Sequence, residues 1–216
     1  MKKQFLFFSC LLVSSITFTC AQQVKLGVRG GLNVSTVSGD IVYRYFNWYE
    51  YSQKPRIGFN VGVDASSQLS DKISLQVELL YSTEGASASG QWTDSGEGKM
   101  TSTQKFDFLA MPMFVKYNFS PHFYFMAGPQ VSYLLSSHYK YRDEIGGFTT
   151  IENNLKSMNK VGFGLVPSIG YEVDKFSFGI RYFKGFSQLN KSNDDRKLKG
   201  TVFSVVVHYR LFHRAD

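Results

Sequence analysis

Chemistry, if this chain performs any, would centre on His208. Ser204 lies four positions earlier, and residues spaced by four share one face of an extended strand. A carboxylate from Glu78 or Glu172 could complete a Ser–His–carboxylate site, with the imidazole taking the hydroxyl proton and the carboxylate orienting the ring. The competing reading is a histidine satisfied by polar neighbours inside the fold. His122, His138 and His213 show no metal-ligand spacing, and no phosphate-binding glycine loop, paired-carboxylate site or calcium loop occurs. Residues 190–196 (NKSNDDR) read as a solvated loop. No catalytic, cofactor-binding or metal-ligating residue is therefore assigned.

His208 belongs to Thr201–Phe212 (TVFSVVVHYRLF), where apolar Phe203, Val205, Val207, Tyr209 and Leu211 alternate with Ser204, Val206, His208, Arg210 and Phe212. A two-residue period marks a strand with different surroundings on its two faces. The same alternation recurs in Val24–Val34, Ile57–Leu69, Ile73–Thr83, Leu109–Phe119, Phe123–Leu135, Val161–Val173 and Phe176–Phe186. Eight strands result, each near the length a tilted strand needs to cross a bilayer. If Val24–Val34 pairs with the last strand, the sheet closes and has no edge.

The residues ahead of the first strand read differently. Met1-Lys2-Lys3, the apolar run Phe5–Phe18 and the small residues Thr19-Cys20-Ala21 form a secretory signal peptide, residues 1–21. Residues 22–216 then make one domain. Cys10 and Cys20 both leave with the leader, so the mature chain has no disulfide or cysteine-held metal, and loss of Lys2 and Lys3 takes the net charge from +7 to +5. An exported chain of that charge gives no indication of nucleic-acid binding.

Long and short connections alternate. Ser35–Arg56, Glu84–Phe108, Ser136–Lys160 and Ser187–Gly200 are long; Ser70-Asp71-Lys72, Ser120-Pro121-His122 and Asp174-Lys175 are tight turns. An up-and-down barrel would place the long ones at one rim and the short ones at the other, as bacterial outer-membrane barrels do. A soluble ligand-carrying barrel would show the same alternation turned inside out. Charge separates the two: the apolar parity carries only Lys184 among charged residues, placed where it can snorkel to the outer interface. Aromatic residues form two girdles, Tyr117, Phe119, Phe123, Tyr171, Phe176 and Tyr209 at the turn end, and Tyr81, Tyr133, Tyr182 and Phe186 at the loop end. The expected fold is all-β, an eight-stranded antiparallel up-and-down transmembrane β-barrel. Pro112, Pro129 and Pro167 fall inside its strands, where local bulges are expected.

The polar parity sets the interior. Lys25, Arg29, Asp64, Glu78, Lys116, Glu172, Arg181, His208 and Arg210 would face a lumen just wide enough for side chains. Five cations against three anions leave a surplus of two, which fits a sealed polar core or a small anion leak.

The strand segments VKLGVRGGLN, FDFLAMPMFVKYNF, FYFMAGPQVSYLL and RYFKGF, with the junction Cys20-Ala21-Gln22-Gln23, make the chain resemble the PorT-type outer-membrane β-barrel family of Bacteroidota-like bacteria. The resemblance covers the mature chain and rests on strand patterns. It implies an outer-membrane location and, for the founding type, a part in protein secretion to the cell surface. Outer-membrane lipid, and other envelope or secretion proteins met through the outer loops, are the partners it implies for a barrel read as monomeric.

One loop stands out. Ile41–Tyr51 gathers Tyr43, Tyr45, Phe46, Trp48, Tyr49 and Tyr51 within eleven residues, a candidate partner-binding surface. Cross-strand packing of these rings in an extended hairpin is the alternative. The function expected is non-enzymatic, a structural or binding role through outer loops. A lipid-modifying barrel enzyme and a small anion-leak pore stand as alternatives.

Overall fold

The computed structural model describes residues 24–38, 50–91, 99–143, 147–152, 158–191 and 198–211. Every regular element among them is a strand: β1 Val24–Ser38, β2 Glu50–Gln68, β3 Ile73–Gln91, β4 Lys99–Asn118, β5 Phe123–Asp143, β6 Gly147–Glu152, β7 Val161–Val173, β8 Phe176–Gly185 and β9 Lys199–Arg210. The leader assigned to residues 1–21 lies outside the described residues.

Eight strands form a closed antiparallel ring, because β4 pairs with β5 as well as with β3; β6 attaches to the outer part of β5. The first and last strands seal it, with Leu32 opposite Val205 and Gly27 opposite Arg210. Closure matters energetically, since in lipid each unpaired backbone group would cost several kcal/mol.

The two faces are distinct. Val205 is 53% exposed and Val206 2%, and the same step recurs along the strands. Outward-facing Leu32, Phe59, Val63, Leu75, Val115, Phe125, Phe163, Ile169 and Phe178 form an apolar belt around the ring. A continuous belt of this extent is a surface for hydrocarbon. Rings pack at the turn rim, with Phe123 and Tyr171 centroids 5.0 Å apart and Phe176 and Tyr209 5.1 Å apart. Lys184 is half-buried and reaches Thr201 Oγ1 at 3.2 Å.

The prolines do not bulge their strands, contrary to the expectation from sequence. Pro129 stands opposite Leu165 and Pro167 opposite Ala127 in an unbroken β5–β7 register, and Pro112 opposite Gln130 in step with Val115 opposite Ala127. A proline removes one donor toward one neighbour while its fixed φ still suits an extended chain, and neighbours on both sides of a closed ring hold the phase. Register shifts occur instead between Pro55 and Asn60 against β3 and between Asp107 and Phe108 against β5. The second leaves Phe106, Asp107 and Phe108 all buried. In β3, Gly85 takes φ of 152°, a conformation that favours glycine, and Ser82 through Ala86 are all buried.

The long connections are also shorter than read. β2, β3, β4 and β5 run for 19, 19, 20 and 21 residues, against 13, 10 and 12 for β7, β8 and β9. Crossing a bilayer takes about 9–11 residues. The remainder of β2–β5, edged by β6, continues past the outer rim as a five-stranded wall, with pairings as far as Glu50–Gln91 and Met100–Asp143. Much of Glu84–Phe108 and part of Ser136–Lys160 is thus sheet rather than loop.

Candidate functional site

Alternation turns every second side chain into the lumen, and the interior is stacked in layers along the barrel axis. Nearest the turn rim, Glu172 holds Lys116 in an ion pair and lies 3.6 Å from Arg210 Nη2. Lys116 Nζ also sits 4.2 Å above the ring of Tyr124. That ring fits because residue 170 is glycine: a Cβ there would stand 2.3 Å from the tyrosine hydroxyl.

The next layer is a buried ion cluster. Arg29 donates to Glu78 Oε1, and Arg181 donates through Nη1 to Oε2 at 2.6 Å and through Nη2 to Oε1 at 2.8 Å. Gln76 Nε2 adds a bond to Glu78 Oε1 at 2.8 Å. One carboxylate thus meets two guanidiniums, a two-pronged geometry that arginine provides and lysine does not. Phe114 closes the side of the cluster, 4.9 Å from the Arg181 guanidinium carbon. Asp64 approaches Arg29 Nε at 4.0 Å and His208 Nε2 at 3.0 Å, the latter out of line for a hydrogen bond. Gly27 makes room for the imidazole, since a Cβ there would lie 2.1 Å from Nε2.

Above the ions come amides and hydroxyls. Asn33 Oδ1 accepts from Asn60 Nδ2 at 2.6 Å and Ser204 Oγ at 2.8 Å, while Asn33 Nδ2 donates to Ser82 Oγ at 3.0 Å. Sequence reasoning did not group these residues, although their shared inward parity could have done so.

The outermost layer is apolar. Val37, Ala86, Phe106, Phe108 and Leu134 pack with Met158, Leu189 and Leu198, which come from connections folded over the mouth. Asn159 fixes that cover, its side-chain amide donating to the carbonyls of Gln188 at 2.9 Å and Asn190 at 3.2 Å. This plug was not foreseen, because all its residues except Leu134 lie beyond the alternating spans or in connections.

Glu84 stands at the outer rim, three residues past the girdle residue Tyr81, and its Oε1 accepts from Ser82 Oγ at 3.1 Å. Burial pushes its carboxyl up to about 7, against the opposing pull of the Ser82 bond. The proton is therefore held more tightly folded than unfolded, and stability falls as pH rises from about 4.5 to about 7. Glu84→Gln is expected to flatten that fall, as read by urea unfolding of the micelle-bound barrel at pH 5 and pH 8.

The residues proposed for chemistry are not assembled for it. Ser204 Oγ faces Asn33, His208 meets Asp64, Glu78 is held by two arginines and Glu172 by Lys116 and Arg210. Lys25 is half-buried at the turn-side mouth, and His122 Nδ1 lies 3.1 Å from the Glu172 carbonyl. Among the described residues no group of three His, Cys, Asp or Glu side chains is placed to hold a metal ion. Of the aromatic segment, Tyr43, Tyr45, Phe46, Trp48 and Tyr49 lie outside the described residues; Tyr51 is in β2, opposite Gly90.

A closed eight-stranded ring with an apolar belt, aromatic rims and a polar, ion-paired interior defines an outer-membrane β-barrel. The chain belongs to the outer membrane protein beta-barrel domain family, which matches residues 20–191. No curated protein matches it in sequence. Among solved structures it is similar to the attachment invasion locus protein Ail of Yersinia pestis, at 14% identity and TM-score 0.45 over 87% of this chain and 99% of that one. Neisserial surface protein A gives 12% identity and TM-score 0.44 over 87% and 99%. OprG of Pseudomonas aeruginosa gives 13% and 0.41 over 89% and 97%.

Proposed function

We propose that the protein is a non-catalytic, monomeric outer-membrane anchor that binds partner proteins of the cell envelope through its outer wall and the aromatic segment Ile41–Tyr51. The observation carrying this reading is the wall itself. Strands β2–β5 spend about half their length beyond what crossing lipid requires, an investment a bare membrane plug would not need. The lumen supports it from the other side. Three successive layers of paired or packed side chains cross the barrel, which disfavours the leak reading, and the Ser204 hydroxyl, two inward positions along β9 from His208, is already bonded to Asn33. The resemblance to the PorT type makes secretion to the cell surface the setting for such binding, after export through the cleaved leader 1–21.

Replacing Tyr45, Trp48 and Tyr49 together by serine tests this reading. Heat-modifiable gel mobility should be unchanged, since the eight spanning strands are formed by other residues. Crosslinked capture of envelope proteins should be lost, because interface energy concentrates in a few aromatic anchors. Full complementation of a deletion strain by this variant, alongside failure by His208→Ala, would overturn the binding role in favour of a catalytic barrel.

A further inference from the structure

The turn-side end of the lumen is a chamber with about 70 Å³ of free space, enough for several waters. Lys25, Lys116, Arg210 and His208 line it, with Glu172 and Asp64. Its charges do not balance. Glu172 is shared between Lys116 and Arg210, and Asp64 between Arg29 and His208. Lys25 has no ion-pair partner among the described residues.

The walls make this surplus consequential. Lys116 is 8% and His208 9% exposed, and the Arg29–Glu78–Arg181 cluster closes the chamber on its inner side. Water therefore reaches the Lys116 ammonium and the His208 ring from the mouth alone. One carboxylate serves both Lys116 and Arg210 and none among the described residues serves half-buried Lys25, so the chamber keeps positive charge that the protein's own acids do not offset. Neutral donors add to the cations: Gln68, Gln76, Ser66, Ser74 and Asn118 also face the space, a set suited to a compact anion with several acceptor oxygens.

We propose that this chamber is a binding site for a small oxyanion, a phosphate or carboxylate group, held chiefly by Lys25 and Arg210 with Lys116 behind them. The anion completes the charge of the turn-side layer and does not traverse the barrel, because the arginine–glutamate cluster lies in its path. The site is independent of the outer wall, so it stands or falls separately from the binding role proposed above. A free anion of the periplasm and the phosphate of a lipid headgroup present the same chemistry.

The test uses the full mature chain, refolded into phosphatidylcholine nanodiscs at low salt and titrated with inorganic phosphate by calorimetry. Saturable binding at one site per barrel is expected. Lys25→Gln should weaken it about tenfold or more, and Lys25→Gln with Arg210→Gln should abolish it, as loss of charge-assisted bonds predicts. Lys25→Arg should retain it, which guards against a folding defect, and Lys105→Gln on the outer wall should not change it. Nanodiscs containing phosphatidylglycerol separate the sources: weaker phosphate binding there identifies a lipid headgroup as occupant, and unchanged binding a free anion. Phosphate binding that is absent, or indifferent to both Lys25→Gln and Arg210→Gln in either disc, overturns the proposal.

Discussion

Replacing Val205 by arginine is expected to cost about 2–4 kcal/mol of folding stability in lipid. Val205 sits midway along β9 and faces outward, so the new charge would lie near the middle of the bilayer, beyond easy reach of either interface. Its partners across the seam are Leu32 on β1 and Ile180 on β8, and neither offers a counter-charge. The comparison is with the neighbouring residue. Ser204→Ala removes one hydrogen bond to Asn33, which keeps its bond from Asn60; that loss is worth about 1 kcal/mol. Unfolding of the two variants from lipid vesicles in urea reads the difference directly. Equal losses would mean that the outward face does not meet hydrocarbon.

Glu78→Gln should be at least as damaging, at about 3–5 kcal/mol, by a different mechanism. Arg29 and Arg181 are 4% and 5% exposed, and the Glu78 carboxylate is the anion that both share. A neutral amide leaves two guanidiniums facing each other across the lumen, with Asp64 at 4.0 Å from Arg29 as the remaining near anion. A triple replacement, Arg29→Met with Glu78→Leu and Arg181→Met, tests the cause. It removes the charges together and should recover most of the loss, since a buried ion cluster often contributes no more than an apolar one of similar volume. If the triple variant is as unstable as Glu78→Gln, packing volume rather than uncompensated charge explains the defect.

Much of this fold was legible because a barrel writes itself in period two. From Val24 to Arg210 each spanning strand shows apolar residues to lipid and a more polar face inward, broken by rings and branched residues such as Phe114, Tyr124 and Val206, and the closing β1–β9 pair followed from two strands that each lacked a neighbour. The three prolines misled because a missing donor was taken to shift the register, whereas the continuous ring tolerates its loss. Above the membrane the pattern fades for a physical reason. With lipid gone, the outer face of the wall carries Ser87, Ser89, Thr101 and Thr103, and the inner face Ala86, Ala88 and Ser102. Small and polar residues on both sides erase the alternation that identifies a strand. The ion layers were legible as a set of inward charges, but their pairing was not, because Arg29, Glu78 and Arg181 come from three strands whose relative stagger no single segment encodes.

The unequal strand lengths have a mechanical consequence. The wall shares its backbone ladder with the barrel: β3 and β4 pair from Ile73–Tyr117 at the turn rim to Gln91–Lys99 at the top, with no linker between the part in lipid and the part outside. Nothing along that path can swivel. Whatever docks on the wall is held at a fixed angle to the membrane plane, and a pull on it loads rows of interstrand hydrogen bonds in shear, all at once, instead of peeling them one by one. The barrel would then act as a footing, passing traction from outside the cell straight into the envelope.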